Sequence, residues 1–161
     1  SLEMKRNAVK ELSKYAKVFI SSEGELPEDL KPYQIRIPPE RMHDALYYSS
    51  LYFGESGTMT TECAMLGTPA IQISGLPKGT IGTLAEQEVY GLVKVYPQYN
   101  NMILKEALSI LEKGKSGFLE KRKKMLSDKI DVTAFMVWFV ENYPRSVDIL
   151  RKIPGYQKRF K

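Results

Sequence analysis

The spacing of apolar positions switches repeatedly between a helical and an extended period. Residues 4–15 carry a helical stripe, Met4, Ala8, Val9 and Leu12, continued by Ala16, with Lys and Glu between. Residues 17–21, centred on Val18-Phe19-Ile20, predict a strand. A polar loop follows, in which Pro27 is placed to open a short helical turn at Glu28-Asp29-Leu30. Residues 33–37 predict a second strand, stopped by Pro38-Pro39. Residues 40–48, with Met42, Leu46 and Tyr47, predict a short helix. Residues 83–90 predict another, opened by a Thr83/Glu86 capping box and closed at Gly91 before a fifth strand over 92–96.

Residues 51–73 are the centre of this pattern. Leu51-Tyr52-Phe53 predicts a third strand, broken by Gly54, Ser56 and Gly57. Met59, Cys63, Ala64 and Leu66 then fall at near-helical spacing over 58–66. Gly67 suits the residue just past the helix end, and Pro69 cannot continue it. Ala70 to Ile73 is the fourth apolar run. A strand that feeds a small-residue loop into a helix N-terminus builds an anion site. The N–H groups of the first turn lack intrahelical partners, and the helix dipole favours negative charge there. Gly57 has no side chain to block a phosphate, and Ser56 and Thr58 offer hydroxyls. Strand alternating with helix predicts an α/β chain with a parallel sheet covered on both faces.

The tail over 101–155 is helical by pattern, and the whole chain, 1–161, reads as one domain. Residues 101–113 and 118–129 are amphipathic. Residues 130–143 differ: Asp131 suits an N-cap, and Phe135 to Val140 is apolar almost all round, so that helix needs cover on more than one side. Residues 145–161 end basic and are expected to fray.

Composition narrows the chemistry. The chain has one cysteine and one histidine, which leaves no internal disulfide, fits a reducing, cytoplasmic setting, and makes no protein-only zinc site. No apolar run reaches the roughly 20 residues of a membrane span. The net charge of +5 suits an anionic ligand without naming it. Walker A, G-x-G-x-x-G, H-E-x-x-H and G-x-S-x-G patterns are absent from the sequence. Ser1-Leu2 ahead of Met4 reads as a cloning remnant on an excised piece of a longer protein.

Ser56-Gly57-Thr58-Met59 with Glu62, followed by Ala64-Met65-Leu66-Gly67-Thr68-Pro69-Ala70, resembles the nucleotide-sugar half of GT-B enzymes, including UDP-N-acetylglucosamine 2-epimerases. Glu55, Thr58 and Thr61 stand where the epimerase pattern has aspartate, glycine and glutamate. Residues 17–73, with Ile37-Pro38-Pro39-Glu40-Arg41-Met42-His43-Asp44-Ala45-Leu46, more closely resemble the DUF354 family of GT-B-like proteins. The resemblance spans most of residues 4–96. It implies a Rossmann-like three-layer sandwich, with about five strands expected from the pattern, and C-terminal helices, the last of which crosses onto an N-terminal domain missing here. It also implies a UDP-type nucleotide sugar as ligand, with no cofactor and no metal, and glycosyl transfer or 2-epimerisation as the reaction. The catalytic groups themselves stay unassigned.

In an open α/β sheet the ligand sits beyond the carboxyl ends of the strands. Ser56, Gly57 and Thr58 are the candidate diphosphate contacts; their plain alternative is helix capping. Glu62, one turn on, matches the epimerase glutamate that binds the ribose hydroxyls; alternatively it is a solvated helix residue. His43 is a candidate for the phosphate or the base, or it bonds a loop carbonyl. Glu23 at the first strand end and Lys78 in the glycine loop complete the set, each with simple loop placement as its alternative. Cys63 reads as core. The run Lys121-Arg122-Lys123-Lys124 is first a solvated face and second a membrane-surface or nucleic-acid patch. A different functional class is a non-catalytic interaction domain that works through this basic helix and the apolar helix after it. The apolar helix is also the candidate surface for a homo-oligomer, and a peripheral contact with the inner membrane face is the remaining partner expectation; nucleic acid is not expected.

Overall fold

The structure, a computed structural model, describes residues 2–77 and 79–161. The chain divides into two compact units, Ser1–Lys121 and Arg122–Lys161.

The first unit is α/β. Its helices are α1 (Leu2–Leu12), α2 (Met42–Tyr48), α3 (Gly57–Leu66), α4 (Gly82–Val89) and α5 (Asn101–Lys113), and α6 (Ser116–Asp128) begins in it. Its sheet is β1 (Tyr52–Gly54), β2 (Ala70–Ile73) and β3 (Val93–Tyr96), parallel and in that order, with register Tyr52↔Ala70 and Ala70↔Val93. The connections run through α3 and α4, as parallel neighbours require. β2 is central and wholly buried. Ile71 joins Ala8, Leu12, Ile103, Leu104 and Ala107, from α1 and α5, in one core. Ala70 and Val93 join Leu46, Cys63 and Leu84, from α2, α3 and α4, in another. Successive residues of a strand point to opposite faces, so β2 feeds both cores. Fully burying side chains such as Ile71 and Ile103 contributes about 1.5–3 kcal/mol each.

Helix ends follow the local chemistry. Gly67 takes the left-handed conformation, φ 79°, that ends α3. Asn100 caps α5 by accepting hydrogen bonds from the Met102 and Ile103 N–H groups. The Thr83/Glu86 capping box does not form. α4 starts one residue earlier, at Gly82, with Ile81 at the cap position and no side-chain cap, so Thr83 already lies inside the helix.

The sheet has three strands among the described residues, not the five expected. The segments at 17–21 and 33–37 meet in a single parallel bridge, Ile20 to Gln34. Only two bonds form it, Ile20 N–H to Tyr33 O at 2.7 Å and Ile35 N–H to Ile20 O at 3.0 Å. On one side of that bridge a 3-10 turn holds Lys31–Tyr33; on the other, Pro38 and Pro39 lack the N–H groups a longer ladder needs. Val18 and Ile20 still turn inward against Val9, Leu26 and Leu30, which accounts for the strand-like pattern.

The second unit is helical: the end of α6, α7 (Val132–Glu141), α8 (Arg145–Lys152) and a final 3-10 turn, Tyr156–Phe160. Asp131 caps α7 by accepting from Ala134 N–H at 2.9 Å. The expected fraying of 145–161 does not occur. Tyr156 stacks on Trp138 at 4.7 Å, Phe160 meets Phe135 edge-on at 5.6 Å, and Asp131 N–H donates to Phe160 O. The aromatic side chains of the tail find partners on α7 while its Lys and Arg stay in water.

Candidate functional site

The site forms where β1 ends and α3 begins. Tyr52 folds its ring over Gly54, where an added Cβ would lie 2.5 Å from the Tyr52 hydroxyl oxygen. A side chain at this position would push the ring aside, and with the ring in its place the hydroxyl accepts the Ser56 N–H at 3.2 Å. Burial raises the Tyr52 phenol above its usual 10.0. Ser56 is the N-cap of α3, its hydroxyl accepting from Met59 N–H at 3.3 Å, so the capping alternative holds for this side chain. Its carbonyl accepts from Thr60, by N–H at 3.1 Å and by hydroxyl at 2.7 Å.

With those donors used, Gly57 and Thr58 present the N–H groups that have no hydrogen-bond partner among the described residues. Thr58 is exposed and Gly57 half-buried, so both amides lie where a ligand oxygen can reach them. Beneath Gly57 sits the amide of Gln72, the one polar residue of β2, 2% exposed. An added Cβ at Gly57 would lie 3.4 Å from Gln72 Nε2. That nitrogen donates to Glu55 O at 3.3 Å and so holds the loop down onto the sheet. Gln72 Oε1 is buried without a partner among the described residues. Gln72 also lines a small cleft with Ser74, Ile81, Leu84, Glu88 and Val95, at the carboxyl ends of β2 and β3. Its internal space is about 20 Å³, enough for a single water.

Glu62 and His43 come together. His43 Nε2 lies 3.2 Å from Glu62 Oε1, joining α2 to α3. The imidazole edge therefore lies against a carboxylate, with His43 well exposed and Glu62 half-buried. Glu62 Oε2 stays outside that contact, one turn from Thr58. Cys63 behind it is fully buried, and burial with the Glu62 charge pushes its thiol up to about 12, so it is core and not nucleophile.

Glu23 is exposed in a bend, and no hydrogen bond or ion pair joins it to this cluster among the described residues. Lys78 lies outside the described residues. Two contributors escaped the sequence reading, Tyr52 and Gln72. The signal for Gln72 was a single polar residue inside an otherwise apolar central strand. For Tyr52 there was only an aromatic residue two positions before a glycine. Among the described residues, no group of three His, Cys, Asp or Glu side chains is arranged to hold a metal ion. Compared with protein families, curated proteins and solved structures, the chain has no significant match.

Proposed function

We propose that this chain is the nucleotide-sugar-binding portion of a GT-B-like protein and takes the diphosphate of a UDP-type sugar at the start of α3. The observation that carries this reading is the pair of unpartnered N–H groups at Gly57 and Thr58, held at the carboxyl end of a parallel sheet by the buried Gln72 amide. In this reading Glu62 accepts the ribose hydroxyls, since two carboxylate oxygens suit a vicinal diol, and His43 fixes its rotamer. When the sugar–phosphate bond breaks, charge builds on the diphosphate, and the same amides and helix dipole stabilise it. The reaction, glycosyl transfer or 2-epimerisation, takes its acid and base groups from a second domain, so this chain alone binds without turnover.

Titration with UDP, followed by calorimetry or amide chemical shifts, tests this directly. Binding is expected to shift the Gly57 and Thr58 amide signals and to disappear in Gly57→Val and Glu62→Ala. If both variants bind UDP as the parent does, the site is misplaced. The competing reading is a non-catalytic interaction domain. It draws on the exposed face of α7 and is favoured if no nucleotide binds.

A further inference from the structure

The positive surplus of the chain is confined to its second unit. Arg122–Lys161 holds ten Lys and Arg against four Asp and Glu, whereas Ser1–Lys121 holds 14 against 15. On that same unit α7 leaves Val132, Met136 and Val140 exposed, at 57%, 59% and 71%, and Tyr143 just beyond it at 69%. These four positions follow an i, i+4, i+8, i+11 spacing, one continuous stripe along the helix. The larger aromatics do not contribute to it, because Phe135 and Trp138 are turned toward Phe160 and Tyr156. The rings of the unit therefore pack on one another, half-buried, and leave the apolar stripe without a partner ring. Asp131 and Glu141 adjoin the stripe directly, and Lys129 and Arg145 lie just beyond its two ends.

We propose that α7 docks on an anionic lipid surface, with the Val132–Met136–Val140–Tyr143 stripe in the headgroup–acyl boundary and the surrounding Lys and Arg against acidic headgroups. An apolar stripe on a unit of strong positive surplus is the combination that binds peripheral helices to such surfaces. A protein partner fits less well, because six of the ten basic residues are lysine, the residue type depleted in protein interfaces. A second copy would bring the same positive surplus against itself. The proposal is independent of nucleotide binding.

Vesicle co-sedimentation of the full chain tests it, with phosphatidylcholine alone and with about 30% phosphatidylserine added. The chain is expected to partition onto the phosphatidylserine vesicles only, and to bind about tenfold more weakly when salt rises from about 0.1 M to about 0.5 M. Met136→Glu with Val140→Glu is expected to abolish partition while leaving Trp138 fluorescence unchanged, which reports an intact aromatic core. Lys123→Glu with Lys124→Glu, away from α7, gives a second variant expected to weaken it about tenfold. Equal partition onto both vesicle types overturns the proposal. So does unchanged partition of the Met136/Val140 variant, or a solution dimer that this variant dissolves in a chain that binds no vesicles.

Discussion

The two units bury their apolar residues by different rules. In the first, a parallel strand must be covered on both faces, and β2 shows the result: Ala70, Ile71 and Ile73 are all enclosed between helices. Nothing apolar is left over at the centre, and the open chemistry lies at strand ends, where Gly57 and Thr58 offer their amides. In the second, helices cover one another on one side only. Met125 and Ser146 are its buried residues, and α7 has none. Rings hold that unit together, and its outer stripe faces away from its own core. The central strand of the sheet closes its core on both faces, whereas α7 of the helical unit buries no residue fully.

Perturbing each unit separately breaks or sharpens that contrast. Gly57→Val has the largest expected effect. Its added methyls would crowd Gln72 Nε2, Ile81 and Leu84 and displace the loop that carries the two amides, so UDP affinity is expected to fall by about 100-fold or more by calorimetry. Trp138 fluorescence should not change, and if it does, the units are not independent. Trp138→Ala removes the half-buried ring stacked on Tyr156 and is expected to cost about 1–1.5 kcal/mol in the second unit. Hydrogen exchange should then rise across α7 and α8 while the amides of β2 stay protected.

Alkaline pH distinguishes the units in a third way. Burial pushes the Cys63 thiol from its ordinary 9.0 up to about 12. The unfolded chain releases that proton first, so the stability contributed below pH 9 is lost as pH rises toward 12. The expected slope is roughly 1.4 kcal/mol per pH unit in that window, measured by denaturant melts. Tyr52, raised from 10.0, adds in the same direction. Cys63→Ala should flatten the first part of the slope, and an unchanged slope would mean the thiol is not enclosed. The smallest effect is Asn100→Ala, which loses the cap of α5 and is expected to lower the melting stability of the first unit by about 1 kcal/mol.

Much of the candidate site could be read along the chain because its parts are neighbours in sequence. Gly54, Ser56, Gly57 and Gly67 each mark a backbone requirement that glycine or a short hydroxyl residue meets locally, and the structure places them at the loop, the cap and the left-handed helix end. Glu62 follows Thr58 by one turn for the same reason. The contact between His43 and Glu62 joins residues 19 apart, from two helices, and no local rule brings them together. Gln72 under Gly57 is likewise a tertiary event.

The amino-acid sequence by itself determined which stretches are helix-forming, the ends of α3 at Ser56 and Gly67, the cap of α7 at Asp131, and that the tail concentrates positive charge. Those properties depend on periodicity, caps and composition, all within a few residues. Only the tertiary structure decided that residues 17–21 and 33–37 make one bridge in place of two strands, since a ladder exists only where two distant segments can both supply donors. It also decided that Tyr156 and Phe160 fold back onto Phe135 and Trp138, turning an expected frayed end into a packed one. Ring against ring across more than fifteen residues is a matter of packing, and local pattern carries no trace of it.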